Sequence, residues 1–191
     1  MTVVTVEIAP TILLLPGLFG SGPDHWQSIW QRELPRTQRV CQRDWSAPDR
    51  DAWVDELNRV VCATAGPILL AAHSLGCATV VHWAQRGKLA QLNRIRGALL
   101  VAVPDVERVD APAQVHSFAP LPSTPLPFPS VVVASSDDPW CGLARAEHWA
   151  NAWGATWQSI GALGHINAES GLGAWQQGQT LLRKLANVTG C

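Results

Sequence analysis

Apolar residues along this chain fall into short unbroken runs, separated by longer stretches where they recur every three or four positions. Ile12–Leu15, Ile68–Ala72, Ala98–Val103 and, up to its final serine, Val131–Ser135 are apolar at consecutive positions, the pattern of strands covered on both faces. Arg39–Arg43 and Thr156–Ile160 are weaker versions of the same pattern and complete a set of six expected strands. The intervening stretches predict helices over Asp24–Glu33, Asp49–Thr64, Leu75–Gln85, Leu143–Trp153 and Leu172–Asn187. Asp49 stands where it would cap the second of these, whose Trp53, Leu57 and Val60 share a face. Gly154 stands where it would end the fourth, which carries Ala146 and Trp149. Strands alternating with helices require right-handed crossovers and a mostly parallel sheet, so the class is α/β. In such sheets function collects in the loops at the carboxyl ends of the strands.

One stretch breaks the rhythm. Pro104–Pro129 holds seven of the fourteen prolines, and proline lacks the donor that a continuous helix or a central strand needs. The segment reads either as a stiff surface connection or as one wall of a pocket, with Phe118, Leu121, Leu126 and Phe128 as its apolar contacts. It is too short for a separate lid domain.

Composition narrows the class of function. With 191 residues, 47% apolar and 15% charged, the chain has core material for a single domain, 1–191, with both sheet faces covered. A net charge of −1 without a basic run argues against a nucleic-acid surface. Cys41, Cys62, Cys77, Cys141 and Cys191 show no C-x-x-C spacing, which disfavours structural zinc and predicts a reducing, cytoplasmic setting. The amino-terminal residues lack the positive region of a signal peptide, and no apolar segment has the length of a membrane helix.

The most informative local pattern is Ala72-His73-Ser74-Leu75-Gly76, where a buried strand meets a helix. Small residues flank the serine at −2 and +2, as in the G-x-S-x-G elbow that lifts a nucleophilic serine to the end of a sheet. Ala72 in place of the first glycine costs one methyl group. The competing reading is a serine that merely caps the helix. A nucleophilic serine needs an imidazole to take its proton. Of six histidines, His82 and His148 fall in predicted helices, His73 precedes the serine and points away from it, and His116 lies in the proline-rich stretch. His165 sits in Gly164-His165-Ile166-Asn167, directly after the last strand, where a base belongs in the chain order Ser, acid, His. The orienting acid should follow the fifth strand, and there Asp137 and Asp138 stand side by side before Pro139. Both are open on the residues alone; the pre-proline restriction keeps Asp138 extended and helps fix its direction.

An oxyanion needs two backbone donors. Leu75, at the start of the helix after the serine, supplies one. Leu18, in Pro16-Gly17-Leu18-Phe19-Gly20-Ser21-Gly22, is the expected second, since three glycines let that backbone approach a substrate. A phosphate loop is excluded because G-x-x-x-x-G-K-[ST] is absent, and the glycines lack dinucleotide spacing. Gly17, His25 and Trp140 are the expected substrate contacts.

Taken together, the Pro-Gly loop with Asp24-His25-Trp26, the His-Ser-Leu-Gly elbow, the Ser-Ser-Asp-Asp-Pro turn and the Gly-His-Ile-Asn loop resemble the small serine-hydrolase family of retinoblastoma-binding protein 9 and its bacterial relatives. The resemblance runs from Ile12 to about Leu185. It implies a compact α/β-hydrolase, a three-layer α/β/α sandwich with a parallel six-stranded sheet in the order 2-1-3-4-5-6 and no large cap domain. It also implies a triad of Ser74, Asp138 and His165, the acid being the second aspartate of the Asp-Asp-Pro turn. A Leu-x-Cys-x-Glu peptide is absent, so pocket-protein binding is not carried over. The expected activity is cleavage of a small carboxylic ester or amide through an acyl-enzyme, without metal or organic cofactor. The alternative is an inert pseudo-hydrolase that binds a protein or ligand.

Overall fold

A computed structural model describes residues 8–187. Its six strands are β1 (Thr11–Leu15), β2 (Thr37–Arg39), β3 (Ile68–His73), β4 (Ile95–Val101), β5 (Ser130–Ala134) and β6 (Thr156–Ser159). They form one parallel sheet in the order β2-β1-β3-β4-β5-β6. Helices α1 (Trp26–Glu33) and α6 (Gln176–Ala186) cover one face. On the other lie α2 (Arg50–Ala63), α3 (Leu75–Arg86) and α5 (Leu143–Trp153). A short α4 (Leu89–Leu92) leads into β4. This is the α/β-hydrolase arrangement, in the strand order that the resemblance implies.

The consecutive apolar runs are explained by this sandwich. All six residues of β3 are buried, because strands in a doubly covered parallel sheet have no wet side. Leu13, Leu15, Leu70, Ala72, Leu100 and Val132 face α2, α3 and α5. Their alternating neighbours Leu14, Leu69, Ala71, Leu99, Val101 and Val133 face Trp26, Trp30, Trp175, Leu182 and Leu185. Gly76 is needed where α3 starts: a Cβ there would lie 2.2 Å from the Leu15 carbonyl oxygen.

Several boundaries differ from expectation. The second strand is Thr37–Arg39 rather than Arg39–Arg43: Val40 still donates its N–H to Leu14 at 2.9 Å, and the chain then leaves because β1 ends at Leu15. The fourth starts earlier, at Ile95, and stops at Val101 because Ala102 turns to φ 53. Helix α1 begins at Trp26, with His25 as its N-cap accepting from the Gln27 N–H. Helix α6 begins at Gln176 rather than Leu172, since Trp175 is left-handed at φ 39 and turns its indole into the core. Asp49 and Gly154 cap as expected. The proline-rich stretch contains a 3-10 turn, Ala113–Phe118.

Candidate active site

The carboxyl edge of the sheet gathers residues that lie far apart in the chain. Ser74 adopts φ 52 and ψ −125 between β3 and α3, and its side chain makes no capping bond, which removes the reading of a mere helix cap. Its Oγ lies 2.8 Å from His165 Nε2. His165 Nδ1 in turn lies 2.9 Å from both carboxylate oxygens of Asp138. The Asp138 side chain is 1% exposed and also accepts the Trp140 N–H at 2.9 Å. Asp137 points elsewhere: its Oδ1 accepts from Ser135 Oγ at 2.6 Å and from Gly164 N–H at 2.8 Å. Those bonds hold its carboxyl below the usual range, the Ser135 hydroxyl most of all. The two aspartates thus have separate tasks. One meets the imidazole, and the other shapes the loop that presents it.

The loop after β1 closes the other side. Phe19 N–H donates to Trp45 and Gly20 N–H to Gly17, while the Leu18 and Leu75 N–H groups donate to nothing among the described residues. A Cβ on Gly17 would stand 2.7 Å from Ser74 Cβ and 3.0 Å from Leu75 N, so this loop is pressed against the elbow. Gly17 therefore lies behind the site and is not part of the pocket wall, contrary to its expected role as a substrate contact.

A cavity of about 250 Å³ opens over Ser74. Leu18, Phe19, His25 and Trp140 line it, together with Val106, Pro112 and Val115 from the proline-rich stretch. That stretch is a pocket wall, but not through the residues expected. Phe118, Leu121 and Phe128 are buried in the core instead, where Phe118 meets Trp53 and His82. His25 is 3% exposed, and its Nδ1 accepts the Gln27 N–H. Burial first, then Arg39 and His165 nearby, pushes its imidazole down to about 4. His116 reaches the Ala111 carbonyl and His82 the Phe118 carbonyl, both away from Ser74. Among the described residues no group of three His, Cys, Asp or Glu stands close enough to hold a metal ion, and no helix is long and apolar enough to cross a membrane.

The family model described as serine hydrolase matches residues 12–184. The chain belongs to the serine hydrolase family. A YdeN-like hydrolase from Pectobacterium atrosepticum is 35% identical, with 93% of this chain and 91% of that one covered and a TM-score of 0.81. The ydeN gene product of B. subtilis is 16% identical over 93% and 98% of the two chains, with a TM-score of 0.74. A thermophilic esterase from Thermogutta terrifontis is 16% identical over 95% and 92%, with a TM-score of 0.68. No curated protein matches the sequence.

Three features of this serine hydrolase escape a sequence reading. Phe19 is 69% exposed at the pocket mouth in a left-handed conformation, φ 64, which no residue pattern announces. Arg108 ties the wall to the acid loop, with Nη1 donating to the Pro139 carbonyl at 2.5 Å and the rest of the guanidinium held by Asp110. Gln27 is wholly buried, and its amide donates to the carbonyls of Leu15 at 3.1 Å and Ala71 at 2.9 Å. It thereby joins the ends of β1 and β3 under the site. Only its place at the start of a helix beside the glycine loop hints at that role.

Proposed function

We propose that this serine hydrolase cleaves a small carboxylic ester or amide through Ser74, His165 and Asp138. The observation that carries the reading is the 2.8 Å approach of His165 Nε2 to Ser74 Oγ, with Asp138 on the far nitrogen. His165 takes the Ser74 proton as Oγ attacks the carbonyl carbon, and the Asp138 carboxylate holds the imidazole in the tautomer with Nδ1–H. The negative oxygen of the tetrahedral intermediate meets the free N–H groups of Leu18 and Leu75, aided by the start of α3. Collapse expels the alcohol or amine with the proton from His165 and leaves an acyl group on Ser74. Water then repeats the sequence and releases the acid.

The apolar cavity fits an uncharged acyl group. An engineered cavity of about 150 Å³ is enough for benzene, so about 250 Å³ holds a ring with a short spacer or a branched chain. His25 and Trp140 contact the substrate at its rim. We place the enzyme in the cytoplasm, which five cysteines without a pairing pattern favour. The test is turnover of short aryl esters together with labelling by a fluorophosphonate. Label on Ser74, and turnover lost in a folded Ser74→Ala variant, is the expected result. An unlabelled Ser74 with no ester turnover overturns the reading in favour of a binding module.

A further inference from the structure

The loop that carries His165 is gripped from below by two buried side chains outside the chemistry just described. His73 points Nε2 at the His165 carbonyl oxygen, 2.8 Å away. A carbonyl only accepts, so that nitrogen bears the proton and donates. The ring is 5% exposed, and burial, with His25 and His165 nearby, keeps it well below the usual imidazole range and hence neutral. His25 lies edge-on to it at 4.6 Å between centroids and limits its rotation. The next carbonyl, that of Ile166, accepts from Trp26 Nε1 at 3.0 Å, and both of these residues are buried.

Between the two gripped carbonyls the backbone is strained. Ile166 has φ 50, a left-handed conformation that is a genuine outlier for a β-branched residue. Such strain persists only where the surroundings over-determine it. Here they are two side-chain donors, plus the Ile166 N–H bond to Leu163 at 3.1 Å. The donors come from different elements: His73 from the end of β3, Trp26 from the first turn of α1.

We propose that His73 and Trp26 are positioning residues, which hold the His165–Ile166 backbone in its strained form so that the imidazole stays within reach of Ser74. The inference rests on His165 being the base. His73 is covalently joined to Ser74, so nucleophile and base are set against each other through one peptide unit and one hydrogen bond. His73 also packs its ring edge-on against the His165 imidazole, 4.9 Å between centroids, but its Nε2 bonds the His165 carbonyl and not the ring nitrogens, which meet Ser74 and Asp138.

Three variants test this: His73→Gln, whose amide nitrogen reaches about as far as imidazole Nε2; His73→Leu, which removes the donor; and Trp26→Phe, which keeps a ring but loses the N–H. Each is assayed with p-nitrophenyl butyrate and with a fluorophosphonate, alongside near-ultraviolet circular dichroism. In His73→Leu and Trp26→Phe, kcat and the labelling rate fall together, by about a hundredfold for a misplacement near 1 Å, while KM holds. His73→Gln retains most of the wild-type rate. A folded His73→Leu enzyme with wild-type kcat, or a His73→Gln enzyme as slow as His73→Leu, overturns the proposal. Where His73→Leu does not fold, His73→Asn replaces it: its amide is too short to reach the carbonyl, and rates equal to those of His73→Gln are a refutation. Failure of the underlying reading looks different, as His165→Ala would then turn over ester at the wild-type rate.

Discussion

Replacing Gly17 by alanine tests the oxyanion geometry with a single methyl group. That carbon would stand 2.7 Å from Ser74 Cβ, 3.0 Å from Leu75 N and 3.1 Å from the His73 carbonyl oxygen. Carbon atoms in contact rest about 3.5–4.0 Å apart, so the loop must back away from the elbow by about 1 Å. Gly17 does not have a positive φ, so backbone strain adds nothing and the effect is steric. Retreat carries the Leu18 N–H away from the Leu75 N–H, and an oxyanion would keep one donor instead of two. Loss of one such donor costs about 10²–10³ in kcat, or about 2.7–4 kcal/mol. KM should change little, because the ground-state carbonyl is bound less tightly than the tetrahedral oxyanion. Overpacking also costs about 1–3 kcal/mol of stability, so a thermal melt accompanies the steady-state assay with an aryl ester. Gly22→Ala is the control, since a Cβ there meets nothing within 4 Å, and it should leave kcat unchanged. If Gly17→Ala holds kcat within about threefold of wild type, less than 1 kcal/mol, the donors proposed here are wrong.

Three further outcomes are expected. Asp138→Asn should lower kcat by about 10⁴, the scale seen when a triad imidazole is left in the wrong tautomer, whereas Asp137→Ala should lower it far less and mainly reduce the melting temperature; the reverse ranking would exchange their roles. Gln27→Leu removes two buried hydrogen bonds, to the Leu15 and Ala71 carbonyls, at about 0.5–1.5 kcal/mol each, read as a shifted urea midpoint; a loss under about 0.5 kcal/mol contradicts the bonding described. Stability should fall with acid because His25 is neutral when folded: its imidazole goes from 6.5 to about 4, so the unfolded chain binds the extra proton between those values. Its share is intact above about pH 6.5 and is lost toward pH 4, about 3 kcal/mol in all. His25→Asn keeps a capping acceptor and removes the titration, so its melting temperature should depend less on pH across that window; an unchanged slope is the contrary result.

What the sequence disclosed, it disclosed through patterns with a local cause. Consecutive apolar runs reveal a doubly covered sheet because burial on both faces leaves no polar alternation, and Gly76 betrays the elbow because no Cβ fits against Leu15. Asp49 and Gly154 were legible because capping is local chemistry. The second strand departs from its expected bounds for the opposite reason. Its apolar signal lies at Val40-Cys41, but its extent is set by where β1, 25 residues away in the Ile12–Thr37 pairing, stops offering partners. Likewise Phe118 and Leu121 looked like pocket residues since they lie in an exposed-looking, proline-rich stretch, and only the packing of α2 and α3 draws them inward. Between Asp137 and Asp138 the residue types are equal. What separates them is which carboxylate reaches across 27 positions to His165, a tertiary fact.

Those tertiary facts share a physical form. Of the six described non-glycine residues with positive φ, four, Phe19, Ser74, Ala102 and Ile166, lie at the carboxyl edge, beyond β1, β3, β4 and β6; Arg36 and Trp175 stand elsewhere, before β2 and α6. Each such residue costs on the order of 1–3 kcal/mol, and four of them along one edge are not a by-product of chain connection. Each is pinned by its own backbone N–H: Phe19 to Trp45, Ser74 to Val101, Ala102 to Val133, Ile166 to Leu163, at 2.8–3.1 Å. The pins at Ser74 and Ala102 continue the sheet ladder by one bond past the strand ends, so the rigidity of β4 and β5 extends into the loops. The strain is therefore not relieved by a floppy edge but borne by the stiffest part of the fold. An arrangement of this kind spends stability on fixed dipoles and fixed side chains before any substrate arrives, which is the condition under which backbone donors stabilise a developing charge without reorganising. It also locates the sensitivity of the site. A change at the sheet face below, such as one that lets β3 slide against β4, would move Ser74 and the grip of His73 on His165 together, whereas an equal change at the amino edge would move neither.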